Sequence, residues 1–350
     1  MRSRIPLRWQ LAADEDVGRL FPDEQIVERH IGAGEYRGLE FLHVNAHRVL
    51  NEVRNAPFGF RWTVNAYRGC SHACTYCFAR PTHEYLGLDM GADFDSKIVV
   101  KINAVERLRA ELRNARWQGE LVAMGTNTDP YQRAEGRYRL TRGLIGVLAE
   151  ARNPFSILTK SPLILRDLDL LAEAAERTEV RTSLSVGTLD VDTWKLTEPG
   201  APHPLRRLEA VARLNEAGVP CAVLMGPVLP GLSDSPDLLA DVVDRAVAAG
   251  ATSISAVYLH LRGPLHRHVL EWAEVARPEL AAHWRRLYGE RSQVPASMRA
   301  ELSSRITELV VAARKRQGRQ VVSRAAKEPA AEPSKPGAPP EAQQLALPLA

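Results

Sequence analysis

Between about Arg61 and Gly263, short runs rich in apolar and β-branched residues alternate with longer amphipathic stretches. The runs are RWTVNAYRG, ELVAMGT, PFSILTK, VRTSLSVGT, VPCAVLMGPVL and ATSISAVYLHLRG. Among the intervening stretches, KINAVERLRAELRNA, LTRGLIGVLAEAR, RDLDLLAEAAERT, PLRRLEAVARLNEAG and PDLLADVVDRAVAAG repeat apolar side chains at helical spacing. Six strand–helix units are predicted. Strands this apolar are covered on both faces, which argues for a parallel sheet with helices outside it. Right-handed crossovers set consecutive strands side by side. The expected class is therefore α/β, a partial (β/α)6 TIM-like barrel or an open sheet, with function at the C-terminal strand ends.

Outside these units the pattern changes. Residues 1–57 read as an N-terminal extension or cover, with strand character at GLEFLHV, ahead of a core spanning 58–265. Residues 266–320 form a basic helical segment with apolar positions at Leu302, Ile306, Leu309 and Val310, read as a helix with a solvated charged face. From 321 to 350 the chain is rich in Pro, Ala and Glu, the composition of a disordered tail.

Composition adds little until the cysteines are placed. The chain is 45% hydrophobic and 25% charged with a formal net charge of +4, which permits nucleic-acid binding without arguing for it. Charged residues interrupt the N-terminus before any apolar run develops, and no stretch approaches the length of a bilayer span. A cytoplasmic protein with no membrane partner is expected. Three of its 4 cysteines, Cys70, Cys74 and Cys77, crowd into YRGCSHACTYCFARP directly after the first predicted strand. In a reducing compartment such a cluster binds metal or does redox chemistry more often than it forms disulfides.

A structural zinc site closes four positions, usually through paired knuckles. Here the spacing is C-x3-C-x2-C, and the nearby nitrogen donors are His72 and His83. His72 lies between two ligand positions and would complete a zinc site only through a strained loop. A [4Fe-4S] cluster held by three thiolates instead leaves one iron open to a cofactor or substrate.

This motif, with an aromatic residue before the third cysteine, resembles the radical S-adenosylmethionine (radical SAM) superfamily. The wider pattern NAYRGCSHACTYCFAR, GTNTDPYQRAE, LTKS, RDLDLL and EPGAP resembles its branch related to spore photoproduct lyase, a light-independent DNA repair enzyme. It more closely resembles an uncharacterised bacterial subgroup labelled DNA repair photolyase-like.

The resemblance implies a partial barrel, a [4Fe-4S] cluster on Cys70, Cys74 and Cys77, and S-adenosylmethionine cleaved reductively to a 5′-deoxyadenosyl radical. It implies an electron donor of the flavodoxin or ferredoxin kind, and damaged or modified DNA as substrate. Carried over residue by residue, it places Tyr76 beside the adenine, Thr128 and Asp129 near the methionine end, and Lys160 at the carboxylate. Ser185 falls at the ribose or carboxylate, and the backbone of Met225, Gly226 and Pro227 at the adenine edge. Tyr131, Tyr138 and Tyr258 either face substrate or fill the core.

Two positions depart from the branch. Thr126 and Phe78 stand where spore photoproduct lyase has a hydrogen-donating cysteine and a relaying tyrosine. A hydroxyl O–H is too strong a bond to replace a thiol, and a phenyl ring has no labile hydrogen. The remaining Cys221 sits mid-strand, where a lone cysteine is usually an apolar filler. At the C-terminus, Gln344 to Leu349 (QLALPL) resembles the peptide with which bacterial repair proteins dock on the DNA sliding clamp. The rival functions are the same radical chemistry on a protein or small molecule, and a non-catalytic iron–sulfur sensing module.

Overall fold

In the computed structural model, which describes residues 26–53 and 59–318, the strands are β1 (Ile26–Ile31), β2 (Glu40–Val44), β3 (Leu50–Glu52), β4 (Trp62–Val64), β5 (Tyr67–Arg68) and β6 (Lys97–Lys101). They continue with β7 (Val122–Met124), β8 (Phe155–Thr159), β9 (Val180–Ser185), β10 (Cys221–Val228) and β11 (Ile254–Tyr258). The helices are α1 (Ala92–Ser96), α2 (Ala104–Leu112), α3 (Arg133–Tyr138), α4 (Leu140–Glu150), α5 (Leu168–Arg177) and α6 (Val191–Thr197). After them come α7 (Pro204–Glu216), α8 (Pro236–Ala248), α9 (Pro264–Ala276), α10 (Pro278–Tyr288) and α11 (Ala296–Arg316).

The six expected strands are β4, β7, β8, β9, β10 and β11. They lie side by side in that order, every neighbouring pair parallel, with β3 added antiparallel to β4 at one edge. This is the α/β partial barrel of the sequence pattern. Its interior and helix-facing sides share one core that includes Val122, Met124, Ile157, Leu184, Val223 and Met225 with Leu148, Leu171, Val211 and Val243. Residues 1–25 and 319–350, including the clamp-like peptide Gln344 to Leu349, lie outside the described residues.

Two local expectations are corrected. RWTVNAYRG does not form one strand: β4 ends at Val64, and Tyr67 and Arg68 pair antiparallel with Val100 and Val99 of β6 in a second sheet, ordered β1-β2-β6-β5. The physical reason lies in the partners after Asn65. The Ala66 carbonyl accepts from the Lys101 N–H at 3.0 Å, and the buried Tyr67 hydroxyl donates to Glu135 at 2.5 Å. Likewise KINAVERLRAELRNA is helical only from Ala104 to Leu112, its first residue Lys101 closing the strand Lys97–Lys101, which pairs with both β2 and β5.

The C-terminal helices are part of the packing around the cysteine loop. From α9 and α10, Leu265, Val269, Leu280, Trp284 and Tyr288 form a second core together with Cys74 and Tyr76. Trp284 donates to the Pro230 carbonyl at 2.8 Å and Tyr288 to that of Leu259 at 2.8 Å, so each buried polar tip has a partner. Helix α11 lies against α8 and β11, burying Leu302 and Ile306, with Leu309 and Val310 half-buried. It thereby covers the edge strand of the barrel.

Candidate active site

The cysteine loop leaves β5 through Gly69, whose φ of +76° suits glycine. A Cβ there would stand 2.9 Å from the Phe94 carbonyl oxygen and 2.9 Å from the His83 ring. The loop is then tied from three directions. On one side, Gln132 accepts from the Ser71 N–H at 3.0 Å and donates to the Gly69 carbonyl at 2.8 Å, where Thr128 Oγ1 donates at 2.6 Å. On another, the Gly200 N–H donates to the His72 carbonyl and the Thr75 N–H to that of Thr197, each at 3.0 Å. A Cβ on Gly200 would lie 2.1 Å from the Ser71 carbonyl oxygen, so the approach requires glycine. On the third, buried Arg80 donates to the carbonyls of Cys74, Met90 and Gly91 and pairs with Asp95 at 2.8 Å.

Cys70 and Cys74 are buried and Cys77 half-buried, none of them in a disulfide. Burial pushes all three thiols up. Cys70 is raised further by the charge of Asp129 and by its two sister cysteines. Thiols so placed stay protonated unless a cation draws the protons off, which is how metal binding couples to deprotonation.

The spacing discriminates between cations. Among the described residues, the three Sγ atoms do not form a set lying wholly within 4.8 Å of one another. Thiolates at about 2.3 Å from a single tetrahedral zinc would stand about 3.8 Å apart. His83 is turned away, its Nε2 against the Lys97 carbonyl at 3.0 Å. His72 faces Asp129, with Nδ1 3.3 Å from the carboxylate. The donor set thus fits a polynuclear cluster held by three thiolates better than a four-coordinate zinc.

Facing the loop from the C-terminal strand ends is a charged constellation. Lys160, following β8, reaches Ser185 Oγ at 2.7 Å, the Gly226 carbonyl at 3.2 Å and Glu198 at 3.1 Å, with its ammonium 5.7 Å from the Tyr76 ring centre. Glu198 also accepts from the Tyr76 hydroxyl and pairs with fully buried Arg207 at 2.5 Å. Burial opposes ionisation of Glu198, but Arg207 and Lys160 outweigh it and hold the carboxyl at about 2. Asp129 is a second hub: it accepts from Thr159 Oγ1, the Lys160 N–H and the Tyr131 N–H at 2.6, 2.7 and 2.8 Å. Despite its burial, His72 and these hydrogen bonds keep the Asp129 carboxyl below its ordinary value.

The residues singled out from sequence fall as follows. Tyr76, Lys160, Ser185 and the Gly226 carbonyl meet in one constellation. Asp129 adjoins it through the Lys160 backbone, while Thr128 touches the loop rather than the mouth. The Met225 side chain is wholly in the core, leaving the backbone from Met225 to Pro227, with its cis Gly226–Pro227 bond, for the strand end. Thr126 accepts from Asn65 at 3.3 Å, and Phe78 is 62% exposed.

Tyr131 is buried, its hydroxyl on Asp167 at 3.1 Å; Tyr138 bonds His43 at 2.7 Å; Tyr258 is half-buried on β11. Cys221 is fully buried and its thiol pushed up to about 12, chiefly by burial. Sequence reasoning missed Glu198, Arg207, Gln132 and Arg80. Glu198 opens the EPGAP segment, an acidic residue beside a Pro-Gly turn, which was the signal available.

The Radical SAM superfamily model matches residues 64–243. The chain belongs to the radical SAM superfamily and is a radical SAM enzyme. It is 46% identical over 283 residues to an uncharacterised protein of Mycobacterium tuberculosis, covering 81% of this chain and 83% of that one. An uncharacterised protein of Methanocaldococcus jannaschii is 29% identical over 196 residues, covering 56% and 70%. Among solved structures, spore photoproduct lyase complexed with dinucleoside spore photoproduct aligns with a TM-score of 0.59 at 14% identity, covering 77% of this chain and 78% of that one. A variant of that lyase with bound AdoMet aligns with the same TM-score. Among the described residues no helix is long and apolar enough to cross a membrane.

Proposed function

We propose that this enzyme carries a [4Fe-4S] cluster on Cys70, Cys74 and Cys77 and uses S-adenosylmethionine to abstract hydrogen from a modified or damaged nucleotide in DNA. The observation that carries the reading is the three-thiol loop, with Cys70 and Cys74 buried and Cys77 half-buried, facing the Lys160–Ser185–Glu198 constellation across the strand ends. When bound, the cluster supplies the electron that splits the sulfonium of S-adenosylmethionine and so yields a 5′-deoxyadenosyl radical.

The chain's own residues do the rest. Lys160 offers its ammonium to the cofactor's carboxylate, exchanging part of its contact with Glu198 for a charge-assisted bond. Ser185 presents a hydroxyl beside it, and Asp129, held ionised, favours the amino group. Tyr76 and the backbone from Met225 to Pro227 provide a face and an edge for the adenine. Thr128 positions the loop through the Gly69 carbonyl. The aliphatic and aromatic side chains of α9 and α10 behind Cys74 and Tyr76 exclude water from the reacting atoms.

DNA as the substrate is supported by the fold shared with a lyase bound to a dinucleoside spore photoproduct, and the mild positive charge permits it. Thr126 and Phe78 offer no cysteine–tyrosine route for returning hydrogen to a substrate radical, which disfavours repair of the spore photoproduct itself and favours a different lesion or a different hydrogen donor.

The test is anaerobic reconstitution followed by reduction with S-adenosylmethionine present. Iron and labile sulfide near four per chain, with 5′-deoxyadenosine released, are expected for a [4Fe-4S] cluster. Zinc in their place would overturn the cluster assignment. Binding to duplex DNA should weaken steeply with salt, and a flat dependence would favour a protein or small-molecule substrate.

A further inference from the structure

A second donor set lies on β1 and β2, at the edge of the small sheet opposite β5, from which the cysteine loop departs. Glu28, His30 and His43 place one ligand atom each within 4.8 Å of the others. Glu28 and His30 are two apart on β1 and so share a face. His43 stands opposite Glu28 across the antiparallel pair. A β-bulge creates that pairing: Ile26 faces Val44 and Glu28 faces His43, so Val27 is the extra residue. Without it, regular pairing would set Glu28 opposite Leu42.

We propose that Glu28, His30 and His43 bind a divalent transition-metal cation of the zinc class with one coordination position left open. Two imidazoles and one carboxylate are a donor set that zinc and its neighbours take with water or an anionic oxygen completing the sphere. Ligand atoms about 2.0–2.1 Å from a tetrahedral ion stand about 3.3 Å apart. Here Glu28 Oε2 lies 3.1 Å from His30 Nε2 and 3.7 Å from His43 Nδ1, bracketing that edge. The longer separation exceeds a hydrogen bond, so the carboxylate and the His43 ring are adjacent without being bonded.

The far side of the His43 ring is fixed as metal-ligating histidines usually are. Its Nε2 sits 2.7 Å from the Tyr138 hydroxyl. Donation from Nε2 to that oxygen leaves the Nδ1 lone pair facing Glu28 and His30, and the outer partner sets the tautomer. Burial grades from His43, with an 11% exposed side chain, through His30 at 30% to Glu28 at 49%, so the open position faces solvent. Binding would couple the edge strand β1 to β2 through side chains as well as backbone.

The test uses tag-free, cluster-loaded protein, whose three loop cysteines are already occupied, with zinc alone as probe. After gel filtration, elemental analysis should find one zinc per chain beyond the cluster iron. His30→Ala and His43→Ala should each remove it, and Glu28→Gln should weaken it at least tenfold in competition with a chromophoric chelator. Tyr138→Phe should leave a weakened site. Should His43→Ala fail to fold, the two surface variants His30→Ala and Glu28→Gln still decide. Absence of the extra zinc in wild type, or its survival in both surface variants, overturns the proposal.

Discussion

The two walls of the barrel mouth are held by different physics. The cysteine loop is fixed mainly by bonds to its backbone: Gln132, Thr128, Gly200 and Arg80 all reach main-chain groups of residues 69–77 or the immediately adjoining chain. Opposite it, Glu198 is held chiefly by the charges of Lys160 and Arg207, with Arg207 anchored in turn on the carbonyls of Pro202 and Ser185. Backbone bonding specifies where three thiolates sit and is indifferent to what occupies them. A charge network can be re-partitioned when an ionic ligand arrives, because Lys160 has alternative acceptors in Ser185 and Gly226. Rigidity therefore belongs to the loop and adjustability to the strand ends.

Gly200→Ala should break the first wall with the largest effect. Its Cβ would fall 2.1 Å from a backbone oxygen, which no side-chain rotation relieves, so the loop must move. A loss of more than about 4 kcal/mol in denaturant unfolding is expected, with iron incorporation lost in parallel. Unchanged iron content would mean that the loop is not held from this side.

Arg207→Met attacks the second wall. It leaves Glu198 buried with Lys160 as its remaining cation, and breaking a buried pair from one side costs about 3–5 kcal/mol. Glu198→Gln in the same background should recover part of that loss, since it removes the uncompensated charge. Iron incorporation should suffer less than in Gly200→Ala, which separates the walls experimentally.

Acid titration sharpens the contrast, because each wall has its own window. His83, behind the loop, is pushed by burial from 6.5 to about 4. The unfolded chain binds that proton first, so stability falls as pH drops from 6.5 towards 4, by on the order of 3 kcal/mol. Glu198 is held at about 2 against an ordinary 4.5, so its contribution, also on the order of 3 kcal/mol, is full above about 4.5 and lost as pH falls through 2. Unfolding free energy followed across pH should show both declines. His83→Gln should flatten the upper one and Glu198→Gln the lower.

How much of this was legible in the sequence follows the same division. The six barrel strands announced themselves as short runs rich in apolar and β-branched residues, although burial on both faces is full only in the middle of the sheet and the edge strand β11 alternates half-buried and exposed positions. The small sheet was legible only in β2, whose strand character shows in GLEFLHV; Tyr67–Arg68 is two residues long, and Lys97–Lys101 begins and ends in lysine, so neither shows a strand period. At the site, Cys70, Cys74 and Cys77 were readable from spacing alone. Glu198 and Arg207 were not, since each acquires meaning from a partner 122 or 9 residues away, and a single acidic residue after a helix or a basic one in a helix's first turn looks like solvated surface. The bulge at Val27 that brings Glu28 opposite His43 likewise exists only in the pairing of two strands.

Cys221→Ala carries the smallest expected effect and tests whether either wall extends into the barrel strands. Cys221 is fully buried, with its backbone N–H and carbonyl bonded to the Asn215 side chain at 2.9 and 3.1 Å. Those bonds belong to the main chain and survive the substitution. What is lost is one sulfur's packing, about 1 kcal/mol for a small core truncation. The thiol, pushed up to about 12, has no thiolate to offer as ligand or as nucleophile. Iron per chain and 5′-deoxyadenosine release should therefore match wild type. A drop in 5′-deoxyadenosine with iron unchanged would give this cysteine a part in turnover and move the functional boundary from the strand ends into the barrel itself.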